Sequence, residues 1–132
     1  MDFVSIRVIT DDVARLAAFY ECVTGVQATW ANENFAELTT GSATLAIAST
    51  RTVPLFAPEA ARPADNSTII IEFLVDDVDG VHQNLAGFVE DFVNEPTTMP
   101  WGNRSLLLRD PDGNLVNFFA PVTQAAIDKF AR

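Results

Sequence analysis

Apolar and polar positions along the chain follow a pattern that recurs after 65 residues and predicts a strand and then a helix each time. A β-rich run at residues 4–9 precedes the first aspartate pair, and a similar run at residues 69–74 precedes the second. Behind each pair, apolar residues are spaced 3, 4 and 3 apart, which forms a stripe along one face of a helix. The stripes comprise Val13, Leu16, Tyr20 and Val23, and Val78, Val81, Leu85 and Phe88. The aspartates, Asp11-Asp12 and Asp76-Asp77, are suited to cap the helix starts.

The later part of each half predicts two strands joined by a turn. Residues 35–38 and 43–48 flank a Thr-Thr-Gly-Ser turn, while residues 105–108 and 114–119 flank Asp110-Pro111-Asp112-Gly113. In the second turn, Pro sets one backbone angle and Gly supplies a positive φ. Shorter strands are predicted at residues 26–30 and 88–94. Each half is therefore expected to run βαβββ, with Gly25 ending the first helix and Gly87 near the end of the second, which gives an α+β fold.

The halves are expected to form a single domain, with modules at about residues 3–50 and 68–121. The bridge between them, residues 51–67, contains Pro54, Pro58 and Pro63, so we expect no regular structure there. Bridges of this length often cover a site or a partner surface, a role open to Leu55 and Phe56. A short C-terminal helix is predicted at residues 123–131.

Composition narrows the classes of partner. Eight Lys and Arg against 18 Asp and Glu leave a net charge of −10, which disfavours nucleic acid and anionic membranes. No apolar run is long enough to span a membrane, and the first residues lack a basic region, so a cytoplasmic location is expected. The chain has one cysteine, Cys22, and one histidine, His82, which excludes a disulfide framework and a cysteine-rich zinc site.

Several segments together resemble a known superfamily. The segments are the two Asp-Asp-Val helix starts, Ala18-Phe19-Tyr20-Glu21 with Val23-Thr24-Gly25, and the run from Arg109 to Leu115. They are similar to the glyoxalase, bleomycin-resistance and extradiol-dioxygenase proteins, also called the vicinal oxygen chelate superfamily, over roughly residues 3–121. The resemblance implies a curved mixed sheet around a concave cleft. It also implies metal ligands on the first and last strands of each module. The superfamily includes enzymes and non-catalytic drug-binding proteins.

The positions that the resemblance assigns to the metal ligands carry no suitable donors. They fall at Ser5, Ala46, Ile70 and Asn117, with Leu45 and Ile47 on the opposite face. A divalent ion needs several imidazole, carboxylate or thiolate ligands. We therefore expect neither a metal nor another cofactor. His82 and Cys22 lie on helices, where a half-buried or surface imidazole and a structural thiol are the expected roles.

Alternation along the first strand places Val4, Ile6 and Val8 toward the helices and Ser5, Arg7 and Ile9 toward the cleft. Glu72 occupies the position equivalent to Arg7. These two residues could form a structural ion pair, hold a polar ligand or act in catalysis. Glu37 is a further inward candidate of uncertain strand phase. The expected apolar lining comprises Ile9, Ile70, Leu74, Leu115 and Phe119.

Three interpretations of the function remain open. The first is a metal-independent protein of bleomycin-resistance type, a homodimer that binds an aromatic or cationic small molecule. The second is an enzyme of lyase, isomerase or dioxygenase type that uses Glu72 and Arg7 without the family metal. The third is a non-catalytic interaction or regulatory module. Trp101 is a candidate for stacking on a ligand, whereas packing is expected for Trp30. The candidate ligand-binding residues are Ser5, Arg7, Ile70, Glu72, Leu74, Trp101, Leu115, Asn117 and Phe119.

Overall fold

The computed structural model describes residues 1–131, which pack as two compact units. The first unit comprises residues 1–66 and the turn residues 111–113, and the second comprises residues 67–110 and the chain from Asn114 onward. The first contains β1 (Ser5–Thr10), α1 (Val13–Thr24), β2 (Thr29–Asn32), β3 (Phe35–Thr39), β4 (Thr44–Ser49) and a 3₁₀ helix (Thr50–Leu55). The second contains β5 (Ile70–Leu74), α2 (Val78–Leu85), β6 (Thr97–Thr98), β7 (Asn103–Arg109), β8 (Leu115–Pro121) and α3 (Gln124–Phe130).

Each unit contains a four-stranded mixed sheet, and the α+β prediction with two βαβββ repeats is confirmed. The strand orders are β1-β4-β3-β2 and β5-β8-β7-β6. The first strand of each unit runs parallel to the last, and the other neighbours are antiparallel. A parallel pair cannot be joined by a tight turn, so the helix and the intervening strands form the long connection. No helix within residues 1–131 is long and apolar enough to cross a membrane.

In the first unit, α1 covers one face of the sheet. All four residues of its predicted stripe, from Val13 to Val23, are buried. The strand residues facing them alternate as the period of two requires: Leu45 and Ile47 are buried beside their partners Leu38 and Ala36. The opposite face of this sheet therefore carries the odd-numbered residues of β1 and the even-numbered residues of β4.

The predicted helix caps are present. The Asp12 carboxylate accepts a hydrogen bond from the Arg15 amide at 3.0 Å, and Asp77 accepts one from the Gly80 amide at 3.1 Å. These bonds satisfy amide groups that a helix leaves free at its start. Gly25 ends α1 with φ at 72°, a left-handed conformation that glycine adopts without steric cost.

The prediction for residues 86–94 is wrong in two respects. Helix α2 ends at Leu85, so Phe88 lies beyond the stripe and is 47% exposed, while Val89 is buried. Residues 88–94 form no strand, although Phe92 makes an isolated bridge to Leu108. The strand that pairs with β7 lies later, at Thr97–Thr98. Helix α2 has only eight residues, so it ends before Phe88, the fourth residue of the predicted apolar stripe.

Three smaller expectations also need correction. The bridge is not wholly irregular, since its start belongs to the 3₁₀ helix Thr50–Leu55, whose N-cap is Ser49. Val4 does not face the helix, because β1 begins one residue later and Val4 is exposed. The strand expected at residues 26–30 begins at Thr29.

Replacing Gly25 by alanine should destabilise the protein. A side chain there has free space but must adopt the positive φ, which costs about 1–2 kcal/mol and outweighs the smaller gain from a less flexible unfolded chain. Urea unfolding is expected to show a loss of about 1 kcal/mol. Gly87→Ala is the matched control, since its φ is not left-handed and its added methyl group meets no atom within 4 Å. Equal effects of the two substitutions would contradict this account.

The contact between Asp79 on α2 and Arg104 on β7 should make stability depend on acidity. Arg104 Nε and Nη2 donate to the two Asp79 carboxylate oxygens at 2.7 and 2.8 Å. These hydrogen bonds hold the pKa of Asp79 below its ordinary value. A carboxylate with a lowered pKa stabilises the fold above about pH 4, and this contribution disappears as the pH falls through the lowered value. Asp79→Asn should therefore reduce the free energy of unfolding more at pH 7 than at pH 2.

The control for this prediction is Asp91→Asn, at an exposed aspartate of the same unit. It should change the pH dependence less than Asp79→Asn does. The measurement is urea unfolding of the three proteins at pH 7 and at pH 2. An unchanged difference between Asp79→Asn and the wild type at the two pH values would show that the ion pair does not contribute to stability.

Candidate functional site

The candidate site lies on the face of the second sheet that α2 leaves uncovered. Helix α2 packs on the opposite face, where its residue Val78 forms a buried cluster with Leu106 and Ala120. Because side chains alternate along a strand, the neighbours of Leu106 and Phe118 in sequence point away from α2. The register aligns three pairs on this uncovered face: Ile70 with Leu115, Glu72 with Asn117, and Leu74 with Phe119.

A side-chain hydrogen bond joins the central pair. Asn117 Nδ2 donates to Glu72 Oε2 at 2.8 Å. A carboxylate can only accept, so the amide nitrogen must face it, and this determines the orientation of the amide. Asn117 Oδ1 is buried and has no hydrogen-bond partner among residues 1–131. The pair therefore combines a carboxylate with an amide oxygen that still lacks a donor.

Aliphatic side chains surround this polar pair. Ile70 and Leu74, on either side of Glu72 in β5, are 45% and 37% exposed. Leu115 and Leu107 on the neighbouring strands are half-buried. Exposed apolar groups around a few polar atoms are typical of a surface that binds small molecules. This part of the face can accept hydrogen bonds at its centre and contact hydrocarbon at its sides.

One residue predicted to contact a ligand is covered by the protein itself. The Phe119 ring packs against Phe130 of α3 at 5.1 Å between centroids, and Phe119 is buried. Gly102 allows α3 to pack close to this end of the sheet, since a Cβ at position 102 would clash with Thr123 Oγ1. Phe119 thus supports the end of the face rather than lying open at its surface.

Arg7 is on the uncovered face of the first sheet. Its guanidinium carbon is 4.9 Å from the centroid of the Phe35 ring and 5.5 Å from that of Phe56. Such cation–π contacts contribute about 0.5–1 kcal/mol each at exposed positions. Glu37 is on the same face as Arg7, because both residues pair with Ala46 in the strand between them. Arg7 thus interacts with aromatic rings of the first unit, and Glu72 interacts with an amide of the second unit.

The side chains at the four expected ligand positions do not fit a divalent metal ion. Ser5 supplies a hydroxyl, Ala46 and Ile70 supply no donor, and Asn117 supplies a single amide oxygen. Glu72 and Asn117 together offer two kinds of oxygen, fewer donors than a stable site requires. No group of three or more His, Cys, Asp or Glu in residues 1–131 could hold a metal ion.

The remaining candidates lie apart from the central pair. Trp101 is 68% exposed in the turn before β7, so the strand register assigns it to neither face. Trp30 pairs with Ala36 and thus belongs to the side of the sheet that α1 covers. His82 is half-buried, with its ring edge-on to Phe92 at 4.9 Å, and Cys22 is exposed on α1.

Sequence reasoning did not identify the partnership of Glu72 with Asn117 or that of Arg7 with Phe35. Both residues of the first pair were candidates, but the register of a parallel strand pair cannot be read from alternation alone. The available signal was that alternation and the family resemblance placed both residues among the candidates facing the cleft. The sequence did not mark Phe35 as a partner of Arg7, because a phenylalanine in a strand is usually part of a core.

Known proteins with this fold are similar over nearly the whole chain. The family model for the Glyoxalase/Bleomycin resistance protein/Dioxygenase superfamily matches residues 2–118. A glyoxalase/bleomycin resistance protein/dioxygenase family enzyme from Burkholderia phytofirmans PsJN superposes with a TM-score of 0.80 at 19% identity, covering 92% of this chain and 100% of that one. A protein of unknown function from Agrobacterium tumefaciens str. C58 gives 0.79 at 23% identity, covering 92% and 95%.

A third structure, a glyoxalase/bleomycin resistance protein/dioxygenase from Nocardioides, has a TM-score of 0.75 at 18% identity and covers 94% of this chain and 85% of its own. At these identities the structures show the shared fold alone. No curated protein is detectably similar to the sequence. The family match covers most of the chain and agrees with both βαβββ units, so the chain belongs to the glyoxalase/bleomycin resistance protein/dioxygenase superfamily.

Proposed function

We propose that the protein binds a small aromatic or cationic molecule without a metal ion, using the uncovered face of the second sheet. The observation that carries this proposal is the Glu72–Asn117 pair, in which an amide holds a carboxylate that is exposed among aliphatic side chains. Metal-free binding makes the protein similar in function to the bleomycin-resistance members of its superfamily rather than to the metal enzymes.

The pair favours a ligand that donates hydrogen bonds. Asn117 Oδ1 is closed to solvent, so the acceptor that a ligand can reach is the exposed Glu72 carboxylate, to which Asn117 is hydrogen-bonded. A ligand N–H group would donate to this carboxylate, and would bind more strongly if the group were positively charged. A protonated amine or amidine meets both requirements, whereas a carboxylate or phosphate would meet only acceptors.

The surroundings favour an apolar group next to the donor. Ile70 and Leu74 expose hydrocarbon to solvent on each side of Glu72. Covering such surface contributes about 25 cal/mol for each Å² removed from water. A flat ring attached to the cationic group could lie across these side chains while its nitrogen reaches the polar pair. The net charge of −10 further raises the local concentration of cations, most strongly at low ionic strength.

Metal analysis provides a first test. The protein purified without chelator should contain far less than one Ni, Zn, Fe or Mn per chain, because the expected ligand positions lack suitable donors. Its melting temperature should be the same with and without EDTA, since removing an ion bound only to the folded state would lower it. One tightly held ion per chain would contradict metal-independent binding.

A matched pair of probes tests the ligand class. Benzylamine should raise the melting temperature and give a measurable affinity by calorimetry, whereas benzyl alcohol should bind at least about tenfold more weakly because it carries no charge. Glu72→Gln should weaken benzylamine binding by about tenfold or more, since hydrogen bonds to charged groups contribute about 1.5–3 kcal/mol. Equal affinity for the two probes would contradict the proposal.

The control variant is Glu90→Gln, which removes the same charge from an exposed position of the second unit. It should retain the wild-type affinity for benzylamine. Equal losses in the two variants would indicate a general effect of net charge rather than a site. If a reaction is found, loss of turnover in Glu72→Gln with retained affinity would favour catalysis. If no small molecule shifts the melting temperature, the interaction-module interpretation gains support.

A further inference from the structure

We propose that Arg7, Phe35 and Phe56 form a second binding site, specific for an aromatic carboxylate, on the uncovered face of the first sheet. The site is separate in its residues and its ligand charge from the one proposed around Glu72. Its defining feature is a guanidinium that is positioned by two aromatic rings and keeps its N–H donors free of side-chain partners within its unit.

Arg7 differs from two of the three other arginines in the first unit, and shares with Arg51 the lack of a carboxylate partner. Its contact with two aromatic rings distinguishes Arg7 from Arg51. Arg15 is 3.9 Å from Asp112, and Arg62 is 2.9 Å from Asp65, so each has a carboxylate partner. Arg7 has no ion pair with a carboxylate of this unit. A guanidinium presents a rigid planar fork of donors that matches the two oxygens of a carboxylate.

Small residues beneath the side chain allow this arrangement. Arg7 pairs with Ala46 in β4, and the next pair on the same face places Ala48 between β1 and Phe35. Both alanines are buried and extend no further than a methyl group above the sheet. The long Arg7 side chain can therefore reach across β4 to the Phe35 ring. A branched or longer residue at position 46 or 48 would occupy that space.

The second ring comes from the end of the 3₁₀ helix. Phe56 immediately follows this helix, and its backbone amide donates to the Val53 carbonyl at 3.0 Å. Val53 is buried and anchors the segment, whereas Phe56 is 73% exposed. One part of the Phe56 ring thus contacts Arg7, and the remaining surface is available to the ring of an aryl carboxylate held by the guanidinium.

The neighbouring side chains suit a singly charged anion. Ser5, Thr44 and Thr39 form the adjacent row on the same face and supply hydroxyl groups. Glu37 lies in the same row as Arg7, on the strand whose Phe35 ring the guanidinium contacts, and it forms no ion pair with Arg7. Its negative charge disfavours a ligand with a second negative charge.

Binding of benzoate to the intact chain tests the proposal, with benzamide as the neutral probe of the same shape. Calorimetry or ligand-observed NMR should detect benzoate binding and find benzamide at least about tenfold weaker. Arg7→Gln should weaken benzoate binding at least about tenfold. Arg7→Lys should also weaken it severalfold, because an ammonium keeps the charge but lacks the planar fork. Phe56→Leu should give a severalfold loss by removing one of the rings that position Arg7.

Arg51→Gln is the matched control, since it removes an exposed positive charge from the same unit and should leave benzoate affinity unchanged. Melting temperatures establish that each variant is folded; if Arg7→Gln is not, Arg7→Lys and Phe56→Leu decide the question. The proposal is overturned if benzoate does not bind, if benzamide binds equally well, or if Arg51→Gln weakens benzoate as much as Arg7→Lys does.

Discussion

The parallel pairing of the first and last strands within each unit is the constraint on which the remaining structure depends. Two parallel neighbours require a long connection, and in each unit a helix and two further strands provide it. The connection leaves one helix to cover one face of each sheet. The other face then carries the alternate residues of the same strands, and parallel register brings together side chains 45 positions apart, as with Glu72 and Asn117.

Local patterns predicted the elements of the fold well where short-range physics decides them. The Asp12 and Asp77 caps, the Gly25 terminus and the buried stripe of α1 all follow from hydrogen bonding and helical periodicity over a few residues. The region after α2 was mispredicted because an apolar spacing continued past the end of the helix to Phe88. Nothing in the local sequence shows that Val89 is buried in the core while Phe88 is exposed.

The sequence predicted which residues of the candidate site share a sheet face, but not which of them contact each other. Alternation correctly predicted which residues share a face with Arg7 and with Glu72, because that depends only on the strand period. The partners depend on register and on the path of the segment that carries Phe56, and neither is encoded in alternation. Within its own unit, Glu72 is hydrogen-bonded to an amide and Arg7 contacts two aromatic rings.

The chemistry of a sheet face can thus change while its fold is retained. At positions where the superfamily resemblance implied metal ligands, Ile70 offers hydrocarbon and Asn117 offers an amide. The same backbone geometry that would converge donors on an ion here presents apolar and neutral polar groups. This is how one architecture supports unrelated functions, since the side chains on the open face determine what it binds.

The orientation of the Asn117 amide would also couple binding to the acidity of the solution. With the Asn117 nitrogen held by Glu72, the pair presents acceptors and a carboxylate charge, so a weakly basic ligand would bind more tightly in its protonated form. The site would then raise the basicity of its ligand, and binding would draw a proton from the buffer whenever the free ligand is mostly neutral. The heat of binding would accordingly vary with the ionisation enthalpy of the buffer.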